Sequence, residues 1–157
     1  MNLTVITVGT LKEDYLVRAV EEYRKRIGAY ARMEEINLKE ERLADESPAR
    51  VAAALDEEGD RILAAMPKDA LRIALCVEGK EYTSEAFASL LGEGRDKGGK
   101  ICLVIGSSWG LADKVKRACD VRLSVSKMTF PHQLMRVILS EALYRALTIL
   151  HGKKYHK

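Results

Sequence analysis

The tightest constraint on the fold comes from two short segments with no polar face. Ile101 to Ile105 is unbroken apolar sequence, and Leu71 to Val77 is interrupted only by Arg72. A strand wetted on one side alternates apolar with polar residues. A strand without that alternation must be covered above and below, which is the condition of a parallel sheet packed between helices. The rest of the chain supplies those helices. Lys12 to Arg26 carries Tyr15, Leu16, Ala19, Val20 and Tyr23 at helical spacing, and Gly28 closes it. Ser47 and Pro48 read as an N-cap and first helical residue. Their helix runs to about Ala65, and Pro67 bars its continuation. Thr83 or Ser84 can cap a helix that ends by Gly92, leaving Gly92 to Gly99 as a glycine-rich turn. A short helix follows Gly110, and Pro131 opens a last one to about Leu150. Leu3 to Val8, Met33 to Leu38 and Val121 to Val125 complete the strands, and Lys39 to Glu46 is a charged loop.

Alternating strands and helices predict an α/β fold: a parallel sheet with helices on both faces. With 157 residues, one domain spanning 1–157 is expected. Ligands in such sheets bind beyond the carboxyl ends of the strands. Three connections lie there: Leu75 to Gly79, with its turn residues Glu78-Gly79-Lys80, then Gly106 to Gly110, and Val125 to Pro131.

Composition narrows the function classes. Apolar residues at 47% and charged residues at 31% give a chain that buries a core and stays soluble, not a disordered tail. No apolar run reaches the roughly 20 residues that span a bilayer, and Leu3 to Val8 is too short and lacks the basic lead-in of a signal peptide. The expectation is therefore no membrane partner and a cytoplasmic location. Cys76, Cys102 and Cys119 are odd in number and lie in apolar segments, as expected of reduced thiols packed as small hydrophobes. No zinc-ligand spacing occurs. The net charge of +3 is unevenly spread: residues 113–157 hold ten basic and three acidic side chains, against sixteen and twenty before them. A basic last third fits a polyanionic partner such as nucleic acid, or equally a solvated charged surface.

Several segments bear chemistry. Gly106-x-Ser108-x-Gly110 follows a strand and matches a nucleophile elbow, with Asp120 and then His132 or His151 in the required order. That leaves a small serine hydrolase using Ser108 as one reading, although the chain is short for that fold and has no HGGG-type oxyanion segment. Gly92 to Lys100 precedes a strand where a phosphate loop would follow one, and no G-x-G-x-x-G occurs. Ser124 to Gln133 brings hydroxyls, a cation and a thioether into one loop, with Thr129 or Phe130 placed to cap the helix behind it. On that last helix Met135, Ile138, Leu139, Ala142, Leu143, Ala146, Leu147 and Leu150 form an apolar stripe. Gln133, Arg136, Ser140, Glu141, Tyr144 and Arg145 form the other face, read as solvated or as a contact for a partner. The tail Gly152 to Lys157 sets a tyrosine and a histidine among three lysines, a group suited to stacking on bases and binding phosphate. A non-catalytic RNA- or ribosome-binding module is a further reading.

Taken together, these stretches resemble a known family. Val8-Gly9 with Leu11-Lys12 and Glu22 to Arg26 carry it in the first half, with Leu75 and Glu78-Gly79 at the strand end. Val104-Ile105-Gly106-x-Ser108-x-Gly110-Leu111, Ser126 to Val137, Glu141-x-Leu143-Tyr144-Arg145-Ala146 and Tyr155-His156-Lys157 carry it in the second. The chain resembles, over its whole length, the SPOUT-class methyltransferases that act on N3 of a pseudouridine in 23S ribosomal RNA. The resemblance implies a C-terminal trefoil knot, a homodimer sharing its site between subunits, and S-adenosyl-L-methionine as cofactor. It implies 23S ribosomal RNA within the assembled ribosome as substrate. Carried over by position, Leu75, Gly106, Val125, Ser126, Lys127, Met128, Thr129 and Phe130 would contact the cofactor. Arg145, Tyr155, His156 and Lys157 would serve the RNA or the reaction. His156 or the ribosomal surroundings would take the N3 proton, with Arg145 and Lys157 on phosphate or the developing anion. One position departs: relatives commonly read Gly-Gly-Ser where this chain has Gly106-Ser107-Ser108. If that site needs positive φ, Ser107 costs roughly 1 kcal/mol there.

Overall fold

The computed structural model describes residues 1–156. Strands and helices alternate: β1 (Asn2–Val8), α1 (Asp14–Ile27), β2 (Arg32–Leu38), α2 (Pro48–Ala65), β3 (Leu71–Glu81), α3 (Ser84–Asp96), β4 (Lys100–Ile105), α4 (Asp113–Ala118), β5 (Val121–Ser124) and α5 (His132–Leu150). The strands form one parallel sheet in the order β2-β1-β4-β3-β5. The doubly apolar strands β3 and β4 lie inside it, and the more polar β2 lies at an edge.

The pleat sends alternate residues of each strand to opposite layers. On one face Leu3, Val5, Ile73, Leu75, Ile101, Leu103 and Ile105 meet Ile27 at the end of α1, Phe87 and Leu91 of α3, and Leu139, Leu143 and Leu147 of α5. On the other, Ile6, Val8, Ala74, Cys102 and Val104 meet Ile62 of α2 and Val115 of α4. All three cysteines are free thiols. Burial pushes Cys102 up to about 12 and Cys119 up to about 11, so both behave as small apolar side chains.

Four local expectations need correction. The glycine-rich stretch from Gly92 is mostly helix, because α3 continues to Asp96. Gly94 is there to let the helix press on the sheet: a Cβ would stand 3.0 Å from Ile101 and Leu71 side-chain carbons. The turn itself is confined to Lys97, Gly98 and Gly99, the two glycines at positive φ. Second, Glu78-Gly79-Lys80 does not end β3. The strand bulges, so that Leu75 and Lys80 both pair with Leu123 before Glu81 meets Ser124. Third, of the foreseen caps only Thr83 acts, its hydroxyl accepting from the Ala86 N–H at 3.1 Å. The Ser47 side chain caps nothing, and α5 is entered through Pro131, not through Thr129 or Phe130. Fourth, the polar face of α5 is not solvated throughout. Arg136 is 8% exposed and Ser140 3%, because α5 lies over the sheet between α1 and α3. Arg136 pairs with Glu35 of β2 and donates to the Gly9 carbonyl at 3.1 Å, which engages both terminal nitrogens of a charge drawn under the helix, while its Nε has no partner among the described residues.

Leu143, fully buried among α1, α3 and the sheet, makes α5 structural. Leu143→Ala is expected to cost about 2–5 kcal/mol in urea unfolding. Replacing exposed Glu21 with Ala should change stability by no more than about 0.5 kcal/mol.

Candidate functional site

The sheet order sets β4, β3 and β5 side by side, so their carboxyl ends open onto one place. A cleft of about 270 Å³ lies there. Its walls are the three connections singled out from sequence. The β3 bulge gives Leu75 to Glu78, the β4–α4 loop gives Gly106 to Leu111, and the β5–α5 loop gives Val125, Ser126, Met128, Thr129 and Phe130. His132 and Met135 close it from the first turn of α5.

Two backbone approaches shape the cleft. Where β3 bulges, a Cβ on Gly79 would stand 2.7 Å from the Leu123 carbonyl carbon and 2.8 Å from the Arg122 oxygen. Only glycine admits that contact. The bulge takes Cys76 to Gly79 out of register with β5, which frees backbone groups to face a ligand. In the β4–α4 loop the Gly110 N–H donates to the Ser107 carbonyl at 2.9 Å, closing a four-residue turn. A Cβ on Gly106 would overlap the Gly110 carbonyl, and Gly110 itself has φ +87°. Ser107 does not have positive φ; among the described residues no side-chain-bearing one does. The strain foreseen at this departure is therefore absent.

Polar support for the loop comes from the β2–α2 side. Ser107 is buried, and its hydroxyl donates to Glu58 Oε1 at 2.7 Å. Ser108 donates to Glu40 at 3.3 Å. Burial raises the Glu58 carboxyl above its ordinary range, the Ser107 hydrogen bond pulls it back, and the Glu40 charge pushes it further up. Sequence reading missed Glu58. Its signal was present: an acidic residue in helical register with Ala54 and Ile62, both of which are buried on α2. Charge within the cleft is balanced, for Glu78 pairs with Lys116 and is held below the usual carboxylate range mainly by that hydrogen bond. Ser124 donates to the Ser126 carbonyl at 2.9 Å, and Ser126 Oγ accepts from the Met128 N–H at 3.0 Å, folding the last wall on itself.

Of the residues foreseen for the cofactor, Leu75, Gly106, Val125, Ser126, Met128, Thr129 and Phe130 line this cleft. Lys127 does not; it is exposed, and nothing places it on the lining. The reaction group lies elsewhere. Arg145, Tyr155 and His156 gather at the far half of α5. The Arg145 guanidinium lies 4.8 Å from the Tyr155 ring centroid and pairs with Glu141. Tyr155 donates to Glu141 at 3.2 Å. Burial pushes its phenol up to about 12, so it stays protonated. His156 lies 2.6 Å by Nε2 from Glu85 of α3 and 3.4 Å by Nδ1 from Arg145. Lys157 lies outside the described residues. At 1.5 Å per residue, Arg145 is about 15 Å along α5 from Met135 on the cleft wall. The hydrolase constellation is not assembled: His132 shares the cleft with Ser108, but the Ser108 hydroxyl turns to Glu40 and not to it, Asp120 accepts from the Arg72 N–H, and His151 Nδ1 lies 2.8 Å from the Leu147 carbonyl.

Comparison with known proteins gives a consistent picture. Residues 1–156 match the family model described as "Predicted SPOUT methyltransferase". The chain is 46% identical over 159 residues to a Bacillus pumilus protein named ribosomal RNA large subunit methyltransferase H, with all of both chains covered. It is 44% identical to the protein of that name from Listeria monocytogenes serotype 4a, again over the full length of both. Two solved structures share the fold at low identity. A "probable methylase family protein" of Haemophilus influenzae Rd KW20 has a TM-score of 0.57 at 15% identity, over 99% of this chain and 70% of that one. A "probable methyltransferase" of Bordetella pertussis Tohama I has 0.56 at 18% identity, over 92% and 95%.

The cleft depends on the missing side chain at position 106. Gly106→Ala is expected to open the Ser107–Gly110 turn. It should shift the emission of Trp109, the sole tryptophan. Unchanged emission would show that the turn does not depend on the missing side chain.

Proposed function

The chain belongs to the SPOUT methyltransferase family, and from that premise we propose that it transfers a methyl group from S-adenosyl-L-methionine to N3 of a pseudouridine in 23S ribosomal RNA, on the assembled ribosome. The single observation that carries the reading is the cleft itself, where three connections at the sheet's carboxyl end offer backbone groups and apolar side chains around a balanced charge. The residues fit a nucleoside-bearing cofactor. The β3 bulge supplies free backbone donors and acceptors for a heterocycle, and Leu75, Leu123, Phe130 and Met135 supply apolar walls. When bound, S-adenosylmethionine supplies an activated methyl group on a positively charged sulfur.

The protein's own part is positioning and proton handling. With a second copy over the rim, the β5–α5 loop and Trp109 would exclude water from the cleft mouth. N3 of the base must lose its proton. His156 or the ribosomal surroundings would take it, and for His156 to do so the ring would give up its contact with Arg145 at Nδ1 while Nε2 stays on Glu85. Tyr155, held protonated, is a donor and a stacking surface, not a base. Arg145, with its guanidinium held by Glu141, and Lys157 would meet phosphate or the developing anion.

The site is shared between two subunits of a homodimer in this proposal. In one subunit the tail group sits about 15 Å along α5 from the cleft. Val77, Trp109, Val125 and Met128 leave apolar surface exposed on the cleft rim, and Leu134 does so on α5. A second copy that covers this surface would also bring its own tail to the cleft. The C-terminal trefoil knot of the family and a location with the cell's ribosomes belong to the same proposal. No described helix is long and apolar enough to cross a membrane.

The test is mass spectrometry of 23S ribosomal RNA from cells with and without this protein. One methyl on one pseudouridine should disappear on deletion and return with the wild-type gene. A chain lacking Tyr155 to Lys157 should fail to restore it while binding S-adenosylmethionine nearly as before. Restoration by the truncated chain would remove the tail from the reaction. Unaltered RNA after deletion would remove the proposed substrate.

A further inference from the structure

The loop that walls the cleft is held by a buried carboxylate that takes no part in the chemistry above. Glu58 is 3% exposed on α2. Its two oxygens serve two different segments. Oε1 accepts from the Ser107 hydroxyl at 2.7 Å, and Oε2 accepts from the Glu41 N–H at 3.0 Å. The Ser107 oxygen in turn lies 3.4 Å from the Trp109 N–H, so the contact continues into the turn at the cleft mouth. Arg61, three residues on and on the same side of α2, donates to the Lys39 carbonyl at 2.8 Å and pairs with Glu41. The strap from Lys39 to Glu41 is thus tied to α2 at both ends, and Glu40 of that strap accepts from Ser108.

The depth of the site is set by a neighbouring glycine. A Cβ on Gly59 would stand 2.8 Å from Lys114 Cε and 3.2 Å from Ala112 Cβ. The helix can therefore lie close against the start of α4, which places Glu58 directly beneath the β4–α4 loop. A carboxylate in such a place is costly unless both oxygens are engaged. Here they are, by one donor from the loop and one from the strap.

We propose that Glu58 is a positioning residue for the cofactor cleft, fixing the Gly106–Gly110 turn through Ser107 and locking the Lys39–Glu41 strap to it. This rests on the methyltransferase reading and adds a residue outside the cleft lining that sets the affinity of the cleft. Glutamate suits the task because one side chain presents two acceptors about 2 Å apart to donors from separate segments. Glutamine can keep both contacts: its carbonyl accepts from Glu41, and its amide donates to the Ser107 oxygen, which as a hydroxyl can also accept. Alanine keeps neither.

The experiment uses the full-length chain and three variants, Glu58→Ala, Glu58→Gln and Ser107→Ala, with exposed Glu21→Ala of α1 as the surface control. Folding is checked by thermal unfolding without ligand. Trp109 emission reports the loop directly, because no other tryptophan contributes. S-adenosylmethionine affinity is measured by calorimetry. Glu58→Ala and Ser107→Ala should shift Trp109 emission to the red and weaken affinity by about tenfold, in the range expected when a buried hydrogen-bond partner is lost. Glu58→Gln should stay within about threefold of wild type, and Glu21→Ala should match wild type. Ser107→Ala loses only a hydroxyl, so it keeps the test readable if Glu58→Ala does not fold. Lower unfolding temperatures with unchanged affinity and emission would make Glu58 a stability residue only and overturn the inference. Wild-type protein that fails to bind S-adenosylmethionine at all would instead overturn the reading on which the inference rests.

Discussion

Everything at the carboxyl end of the sheet depends on two places where backbone meets backbone with no side chain between. Gly79 lies against the Arg122–Leu123 peptide, and Gly106 lies against the Gly110 carbonyl. The first contact lets β3 bulge and still resume pairing with β5. The second turns the chain sharply out of β4 before α4 begins. A methyl group at either position would push the two walls of the cleft apart. The strands beneath are rigid, with Leu103 and Val104 of β4 fully buried, and a close-packed interior resists such displacement. The cleft is therefore a property of the backbone, and its lining side chains are secondary to it.

The legible part of this structure was the part governed by local rules. Doubly apolar β3 and β4 announced a covered parallel sheet, Pro48 and Pro67 bracketed α2, and the three strand-end connections pointed to one site. What stayed hidden depends on which residues meet across the sheet. Glycines from Gly92 to Gly99 look like a turn in isolation, because glycine disfavours helix interiors. Gly94 is helical nonetheless, since the approach to Ile101 and Leu71 outweighs that preference. Arg136 and Ser140 look solvated on a helical wheel. They are buried because α5 has neighbours on three sides, and periodicity within one helix counts only one of them. Glu58 is the converse case: its place in line with Ala54 and Ile62 could be read, but its partners, 49 and 17 residues away, could not. The threading of a knot runs against the general rule for chain connections, so it could come only from the resemblance.

Two polar ties hold the ends of the cleft from opposite layers. Glu58 of α2 holds the β4–α4 loop from one face of the sheet. Arg136 of α5, bonded to Glu35 and the Gly9 carbonyl, holds the helix behind the β5–α5 loop from the other. Each is a buried charge with partners from distant segments. Such groups contribute little net stability compared with an apolar side chain of similar volume, but losing one partner strands the other at considerable cost. Their effect is to select a single arrangement of loops that apolar packing alone would leave free to slide.

The charge balance inside the cleft bears on catalysis as well as on binding. Lys116 neutralises Glu78, and Glu58 sits behind the loop, not on the lining. In the reaction proposed, positive charge starts concentrated on sulfur and disperses as the methyl group moves toward an electron-rich nitrogen. A bare carboxylate beside the sulfur would hold the starting state more strongly than the transition state, and uniform or ground-state stabilisation does not raise the rate. Backbone dipoles and apolar walls avoid that penalty while still excluding water. Arg145 and His156 lie together near the tail, where in the reaction proposed they would face the opposite problem, an anion forming on the acceptor base. Within one chain about 15 Å of α5 separates Arg145 from the cleft wall, a spacing that in the proposed dimer would keep Arg145 away from the cationic donor held by its own subunit.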